Sequence, residues 1–283
     1  MSIFLDFDGT ITAKDTVGEL ANFALRVRAD EGEDLQKEWD KVVVAYVDDH
    51  NAHVDGYEPP IQSRSLPDQE IDFLRQMKHV ETRSLGRIND CRLFRGISPE
   101  KFREAGSDLV SKGTIQLRPG FKRFVEQRIA EGWRVWVLSV NWSSAFIEGA
   151  CGELPGVTVI ANDVREDGSI AGPAVLNPPN SNTQEPRNLT NSRDKLDAMN
   201  ATLRSEGLAA RPSVYFGDST TDLECLLAAD LGLVISDKDD SLLLKTLRRI
   251  GKTVPHVRDQ AETNKLRWTS NYEDIPDYRF ALR

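Results

Sequence analysis

Ser2-Ile3-Phe4-Leu5-Asp6-Phe7-Asp8-Gly9-Thr10 decides how the rest of the chain is read. A short apolar run delivers two carboxylates two residues apart, and Gly and Thr follow at once. In a strand, residues i and i+2 point the same way. Asp6 and Asp8 can therefore share one site if the strand ends near Asp6. Close carboxylates repel unless a cation or a proton comes between them. A hard cation such as Mg²⁺ takes oxygen ligands and suits the place. Gly9 allows a sharp turn, and Thr10 offers a hydroxyl and a backbone N–H. Taken alone, Asp6 to Thr10 fits a solvated turn after an edge strand equally well.

Downstream of this strand, residues 14 to about 112 carry helical patterns. Thr16 to Leu25 has apolar residues at 17, 20, 21, 24 and 25, and Leu35 to Tyr46 continues in that style. Pro59-Pro60 interrupts the pattern, and Leu66-Pro67-Asp68-Gln69-Glu70 reopens a helix with Pro in its first turn. Ile71, Leu74 and Met77 form another apolar stripe, and Ser98 is the expected cap of a further helix beginning at Pro99. A block of this length is too long to be a loop.

From Leu117 the pattern alternates. Arg118-Pro119-Gly120 opens a helix, Arg134 to Leu138 is a strand, and Ser143 to Glu148 a helix. Val157 to Asn162 is a strand, followed by a polar hairpin over 163–174 that turns at Asp167-Gly168. Residues 177–191 are rich in Pro, Asn and Thr and read as loop. Lys195 to Leu203 is helix, Ser213 to Phe216 strand, Asp222 to Ala229 helix and Leu231 to Ile235 strand. Such repetition predicts an α/β, Rossmann-like, mostly parallel sheet with helices on both faces. Ligands in these sheets bind outside the carboxyl ends of the strands, where Asp6, Ser139 and Asp218 stand. The predicted core is residues 1–13 and 114–283, and the all-helical block 14–113 is inserted after the first strand. Trp268, Tyr272, Tyr278 and Phe280 would anchor a C-terminal segment wrapped over the core, or form an exposed self-association patch.

The ordered motifs resemble the signatures of the haloacid-dehalogenase-like hydrolases, most of which are phosphatases. Asp6-Phe7-Asp8-Gly9-Thr10 is similar to the first signature, Leu138-Ser139 to the second, Lys195 near a helix start to the third, and Gly217-Asp218-Ser219-Thr220-Thr221-Asp222 to the fourth. The resemblance spans residues 3 to 222. The position of the helical block resembles the caps of the phosphoserine-phosphatase-like branch, which close over small substrates.

By that resemblance Asp6 is the nucleophile that forms an aspartyl-phosphate, and Asp8 the general acid and later base. Ser139 would hydrogen-bond a phosphoryl oxygen, and Lys195 would offset negative charge on the nucleophile and the transferring group. Asp218 would ligate Mg²⁺ beside Asp6 and the backbone carbonyl of Asp8. Asp222 would hold the metal through water or orient Lys195. Thr10, Glu19, Asn141 and Trp142 are candidate substrate contacts, with Arg83, Arg87 and Arg92 as further cap candidates for a carboxylate. Blander readings stand beside these. Ser139 is also a strand-end cap, Lys195 a solvated helix residue with Arg193 close by, Asp222 a helix N-terminal carboxylate, and Trp142 a core residue. Ser219 departs from relatives that carry Gly or Asp there. Asn141-Trp142 departs from the Gly-rich segment that binds amino-acid phosphates, which points to a vitamin-like or sugar phosphate as readily as to phosphoserine.

Composition bounds the class. The 283 residues are 39% hydrophobic, enough for a large core, and carry a net charge of −9. That balance gives no broad basic surface for nucleic acid, and Lys245 to Arg249 reads as a solvated helix face. No apolar run is long enough to span a bilayer. The first motif begins almost at Met1, so no leader is expected. Cys91, Cys151 and Cys225 are too few for a disulfide framework and suit a reducing, cytoplasmic setting. The expectation is a Mg²⁺-dependent phosphatase acting on a small phosphorylated metabolite, its oligomeric state left open. A phosphomutase uses the same intermediate, whereas a dehalogenase does not need the full metal site. A binding protein that keeps the fold without turnover is the alternative from another class, with loop 177–191 as its contact.

Overall fold

The structure, a computed structural model, describes residues 1–179, 186–259 and 264–275. Its centre is a sheet of six parallel strands: β1 (Ser2–Leu5), β2 (Arg134–Leu138), β3 (Val157–Ile160), β6 (Ser213–Gly217), β7 (Leu231–Ile235) and β8 (Leu266–Thr269). Short β4 (Asp163–Val164) and β5 (Ile170–Ala171) pair antiparallel beside it, around the predicted turn, where Gly168 has φ 87°. The spatial order is β3-β2-β1-β6-β7-β8. The chain builds outward from β1 through β2 to β3, then returns to the other side of β1 with β6. The order therefore reverses between β1 and β6, and a doubly wound sheet opens its ligand crevice at such a point.

β1 is buried throughout, and apolar from Ile3 to Leu5, because it lies between two parallel neighbours and is covered on both faces. Leu5 pairs with Val137 on one side and Phe216 on the other. That register carries Asp6, Ser139 and Asp218 to the same edge of the sheet. The sixth strand, β8, is new to the structure. Trp268, a predicted anchor of a wrapping segment, is instead a strand residue paired with Val234. Tyr272 does anchor: it is buried against Phe121, Phe124 and Phe216, and its hydroxyl donates to the Thr10 carbonyl. Tyr278 and Phe280 lie outside the described residues, as do 180–185 in the predicted loop. The near ends of that loop are clasped by Asn177, whose side chain bonds both the N–H and the C=O of Arg187.

Five helices follow β1: α1 (Val17–Asp30), α2 (Gln36–Gly56), α3 (Pro67–Gln76), α4 (Lys78–Cys91) and α5 (Pro99–Ser111). The Ser98 hydroxyl caps α5 by accepting from the Lys101 N–H, as its position predicts. The chain leaves and re-enters the core beside itself, where Thr12 bridges Leu117. Helices α6 (Phe121–Ala130), α7 (Ser144–Cys151), α8 (Ser192–Ser205), α9 (Leu223–Ala228) and α10 (Leu242–Arg249) flank the sheet.

The helical block shares its apolar core with the sheet. Ile3, Leu5 and Phe7 join Leu20, Ala24, Leu85 and Phe102 in one cluster. Phe4 and Trp136 join Phe73, Leu74 and Val80 in another. α5 and α7 meet backbone to backbone: a Cβ on Gly106 would lie 2.2 Å from the Phe146 carbonyl oxygen, and one on Gly149 1.9 Å from that of Arg103. Polar ties add to this. Arg75 bonds the buried Glu224 carboxylate at 2.5 Å, and Lys78 bonds Asp194 at 2.6 Å. Arg249, expected on a solvated face, instead donates to the Ile61 and Arg64 carbonyls and pairs with Glu70. The three cysteines are free thiols, two of them buried. Among the described residues no helix is long and apolar enough to cross a membrane.

Candidate active site

Asp6 follows directly on β1, and its backbone N–H continues the ladder by donating to the Phe216 carbonyl at 2.9 Å. Its carboxylate is buried, and Oδ1 accepts from Lys195 Nζ at 2.6 Å. Lys195 lies on the first turn of α8 and is fully buried. The same ammonium donates to Asp222 Oδ1, also at 2.6 Å. Burial alone would lower the Lys195 pKa, but the charges of Asp222 and Asp6 outweigh it and hold the ammonium above its ordinary value. Burial and the Asp222 charge push Asp6 well above the usual carboxylate range, and Lys195 works against them. Arg193, the competing cation in the sequence, pairs with Asp197 on the exposed side of α8.

Asp222 is fully buried and saturated with donors. Oδ1 takes Lys195 and the Tyr215 hydroxyl (2.7 Å), while Oδ2 takes the backbone N–H groups of Asp218 (3.2 Å) and Ser219 (3.1 Å). Its bond to Lys195 fits the role of orienting that lysine, and its bonds to the two amides are those of a helix N-terminal carboxylate. Its bonds to the β6–α9 turn also fix Asp218, which accepts from the Thr10 hydroxyl at 3.1 Å. Gly9 makes room for this: its φ is +74°, and a Cβ there would lie 2.2 Å from Asp218 Oδ2. Arg118 steadies the same turn by donating to the Gly9 carbonyl at 2.9 Å.

Carboxylate oxygens of Asp6, Asp218 and Asp222 come within 4.8 Å of one another. Burial and the charge of Asp222 push Asp218 up to about 7. Three carboxyl groups stand here against one ammonium, an excess of acidic groups at this spot. An all-oxygen donor set with that excess suits a hard divalent cation such as Mg²⁺.

The Asp8 carboxylate lies outside this set. β1 ends at Leu5, directly before Asp6, and the next residues turn. Asp8 Oδ1 accepts from the Thr16 N–H (2.7 Å) and hydroxyl (2.6 Å), and Oδ2 from Asn141 Nδ2 (2.9 Å). Burial and the charge of Asp15 raise its pKa, opposed by the bonds from Thr16 and Asn141. A raised carboxyl keeps its proton to higher pH, which suits a general acid.

The other predicted residues divide. Ser139 is fully buried at the end of β2 and accepts from the Asn141 N–H, which leaves its own O–H free of that bond. Asn141 is a positioning partner of Asp8. Trp142 packs edge-on against Trp39 of α2 and against Phe94, as the core reading expected. Glu19 is half-buried on the first turn of α1, outside the hydrogen-bond partners of Asp6 and Asp8. Arg83 and Arg87 both pair with Asp49 within the helical block, and Arg92 closes α4 with φ 53°. Tyr215 and Thr16 were missed. A tyrosine in a strand buried on both faces signals a needed hydroxyl partner. In the sequence Thr16 stands only at the start of a helical pattern.

Comparison with known proteins places this geometry among relatives. The family model described as haloacid dehalogenase-like hydrolase matches residues 3–227. The chain is 26% identical over 275 residues to the protein named Bifunctional TH2 protein, mitochondrial, of Arabidopsis thaliana, covering 88% of this chain and 40% of that protein. It is 26% identical over 251 residues to Cold tolerance protein 1 of Saccharomyces cerevisiae, covering 80% of this chain and 75% of that one. The solved structure of cytosolic 5'-nucleotidase IIIB bound to cytidine has the same fold, with a TM-score of 0.52, 16% identity, and coverage of 88% of this chain and 78% of the other.

Proposed function

We propose that this chain, which belongs to the haloacid dehalogenase-like hydrolases, hydrolyses a small-molecule phosphomonoester with Mg²⁺ as its cofactor. The observation that supports the reading is the buried Asp6–Lys195–Asp222 triad with Asp218 beside it, at the point where the strand order reverses. Asp6 and Asp218 would hold the cation, with the Asp8 backbone carbonyl. When bound it offsets negative charge on the phosphoryl oxygens.

Lys195 occupies Asp6 Oδ1, so Oδ2 is the oxygen left to attack phosphorus. As the Asp6–phosphorus bond forms, the bond to the leaving oxygen breaks, and protonated Asp8 gives that oxygen its proton. Asp8, now ionised, takes a proton from water. The resulting hydroxide adds to phosphorus, the bond to Asp6 breaks, and phosphate leaves. Ser139 donates its O–H to a phosphoryl oxygen, and Lys195 offsets the charge that develops there. Asn141 and Thr16 hold Asp8 at the reacting edge.

Residues 14–113 serve in this reading as a cap on the core formed by 1–13 and 114–283. Lys78 and Arg75 tie it to the first turn of α8 and to α9, beside Lys195. The cap excludes water and strengthens the charged contacts to phosphate. The free thiols suit the reducing conditions of a cytoplasmic enzyme.

The test is phosphate release from a broad panel of phosphorylated metabolites, with and without Mg²⁺, for wild type and Asp6→Asn. Release that needs both Mg²⁺ and Asp6 is the expected result. Equal activity of Asp6→Asn would sink the mechanism, and an isomerised product without free phosphate would identify a phosphomutase.

A further inference from the structure

α2 is a 21-residue helix with two unlike faces. With about 3.6 residues per turn, Trp39, Val42, Tyr46, Asp49 and His53 fall on one side. That side is satisfied: Val42 is in the core, the Tyr46 hydroxyl donates to Glu81, and Asp49 pairs with Arg83 and Arg87. The opposite side runs Lys37, Asp40, Lys41, Val44, Val47, Asp48, Asn51, Asp55, all exposed. Val44 is 59% and Val47 47% exposed, and neighbouring Val43 44%. These are three of the six large apolar side chains exposed among the described residues. Apolar side chains gathered on one outward stripe call for a cover more than scattered ones do.

The charges around the valines say what covers them. Lys37 and Lys41, with Asp40 between them, lie on the N-terminal side of the stripe, and Asp48 and Asp55 on the C-terminal side. We propose that this face binds the same face of a second copy of the chain, with the two α2 helices antiparallel about a two-fold axis between residues 45 and 46. In that register Val44 meets Val47 of the partner subunit, twice by symmetry. Lys41 comes beside the partner's Asp48, and Lys37 beside the partner's Asp55. A parallel pairing would set each charge against its own kind. Symmetry doubles every contact, as in any two-fold interface. A patch one helix long lies at the small end of interfaces, so the dimer forms in the micromolar range, with a dissociation constant of about 1–100 μM.

The experiment is sedimentation equilibrium of the full chain over a micromolar concentration series. Wild type is expected to pass from monomer to dimer, and Val44→Glu to remain a monomer. Lys41→Glu and Asp48→Lys should each weaken the dimer at least about tenfold, because each creates two like-charge contacts. An equal mixture of these two variants should restore it. In the mixed dimer the glutamate introduced at position 41 faces the lysine introduced at position 48, and the unaltered Asp48 of one variant faces the unaltered Lys41 of the other. These side chains are exposed, and circular dichroism of each variant is the check that it is folded. The proposal is overturned by a wild type that stays monomeric, by a Val44→Glu dimer as tight as wild type, or by a mixture no tighter than its components.

Discussion

Lys195→Met tests the triad directly. The substitution keeps the aliphatic stem and removes a fully buried ammonium that touches Asp6 and Asp222, each at 2.6 Å. Two buried carboxylates then lose their counter-ion. Removing one member of a buried ion pair costs about 3–5 kcal/mol. With a urea dependence of about 3 kcal/mol per molar, the unfolding midpoint falls by about 1–2 M. The loss has a pH signature. Asp6 is already raised well above the ordinary range by burial and Asp222, and Lys195 is what opposes that. Without Lys195 the folded-state pKa of Asp6 rises further, while the unfolded value stays at about 3.9. A raised folded pKa means the native state binds more protons, so its contribution to stability is lost as pH climbs from the unfolded value through the folded one. The deficit relative to wild type should therefore be small near pH 4.5 and larger at pH 8. Urea melts in metal-free buffer across that range measure it. A deficit at pH 8 below about 1 kcal/mol, or one that shrinks as pH rises, would refute the reasoning.

Tyr215→Phe removes the hydroxyl that donates to Asp222 but keeps the ring. A bond to a charged acceptor is worth about 1.5–3 kcal/mol, and urea unfolding should show a loss of that size. Asp8→Asn should lower phosphate release by about 10²–10⁴-fold while calorimetry still shows Mg²⁺ binding, because the Asp8 carboxylate lies outside the Asp6–Asp218–Asp222 set. Loss of both together would make its side chain a ligand. Gly106→Ala drives a methyl into the Phe146 carbonyl, a backbone atom that cannot rotate away. It should cost about 1–3 kcal/mol in thermal or urea unfolding, and a neutral result would mean that α5 and α7 are not in close contact.

The residue pattern by itself determined the parts that local chemistry encodes. β1, β2, β6 and β7 were legible because parallel strands buried on both faces must be apolar runs. The helical block was legible from its 3.6-residue period, and the turn from the Asp167-Gly168 pair, whose glycine takes the positive φ such turns need. Asp6, Ser139 and Asp218 each end such a strand, so their meeting followed from topology alone. β8 was not legible, since Leu266–Thr269 mixes Arg and Thr with Leu and Trp at the edge of the sheet. Tertiary structure alone decided which side chains touch. Residues 193 and 195 point to opposite sides of α8, and only the docking of that helix on the sheet turns Lys195 inward and Arg193 out. The Asp8 carboxylate is held by Thr16 and Asn141, eight and 133 residues away. Asp222 gives both its oxygens to Lys195, Tyr215 and two backbone amides, a claim no spacing can make. Period and turn chemistry act over a few residues. Partner choice across a hundred or more depends on strand register and on the phase at which each helix packs.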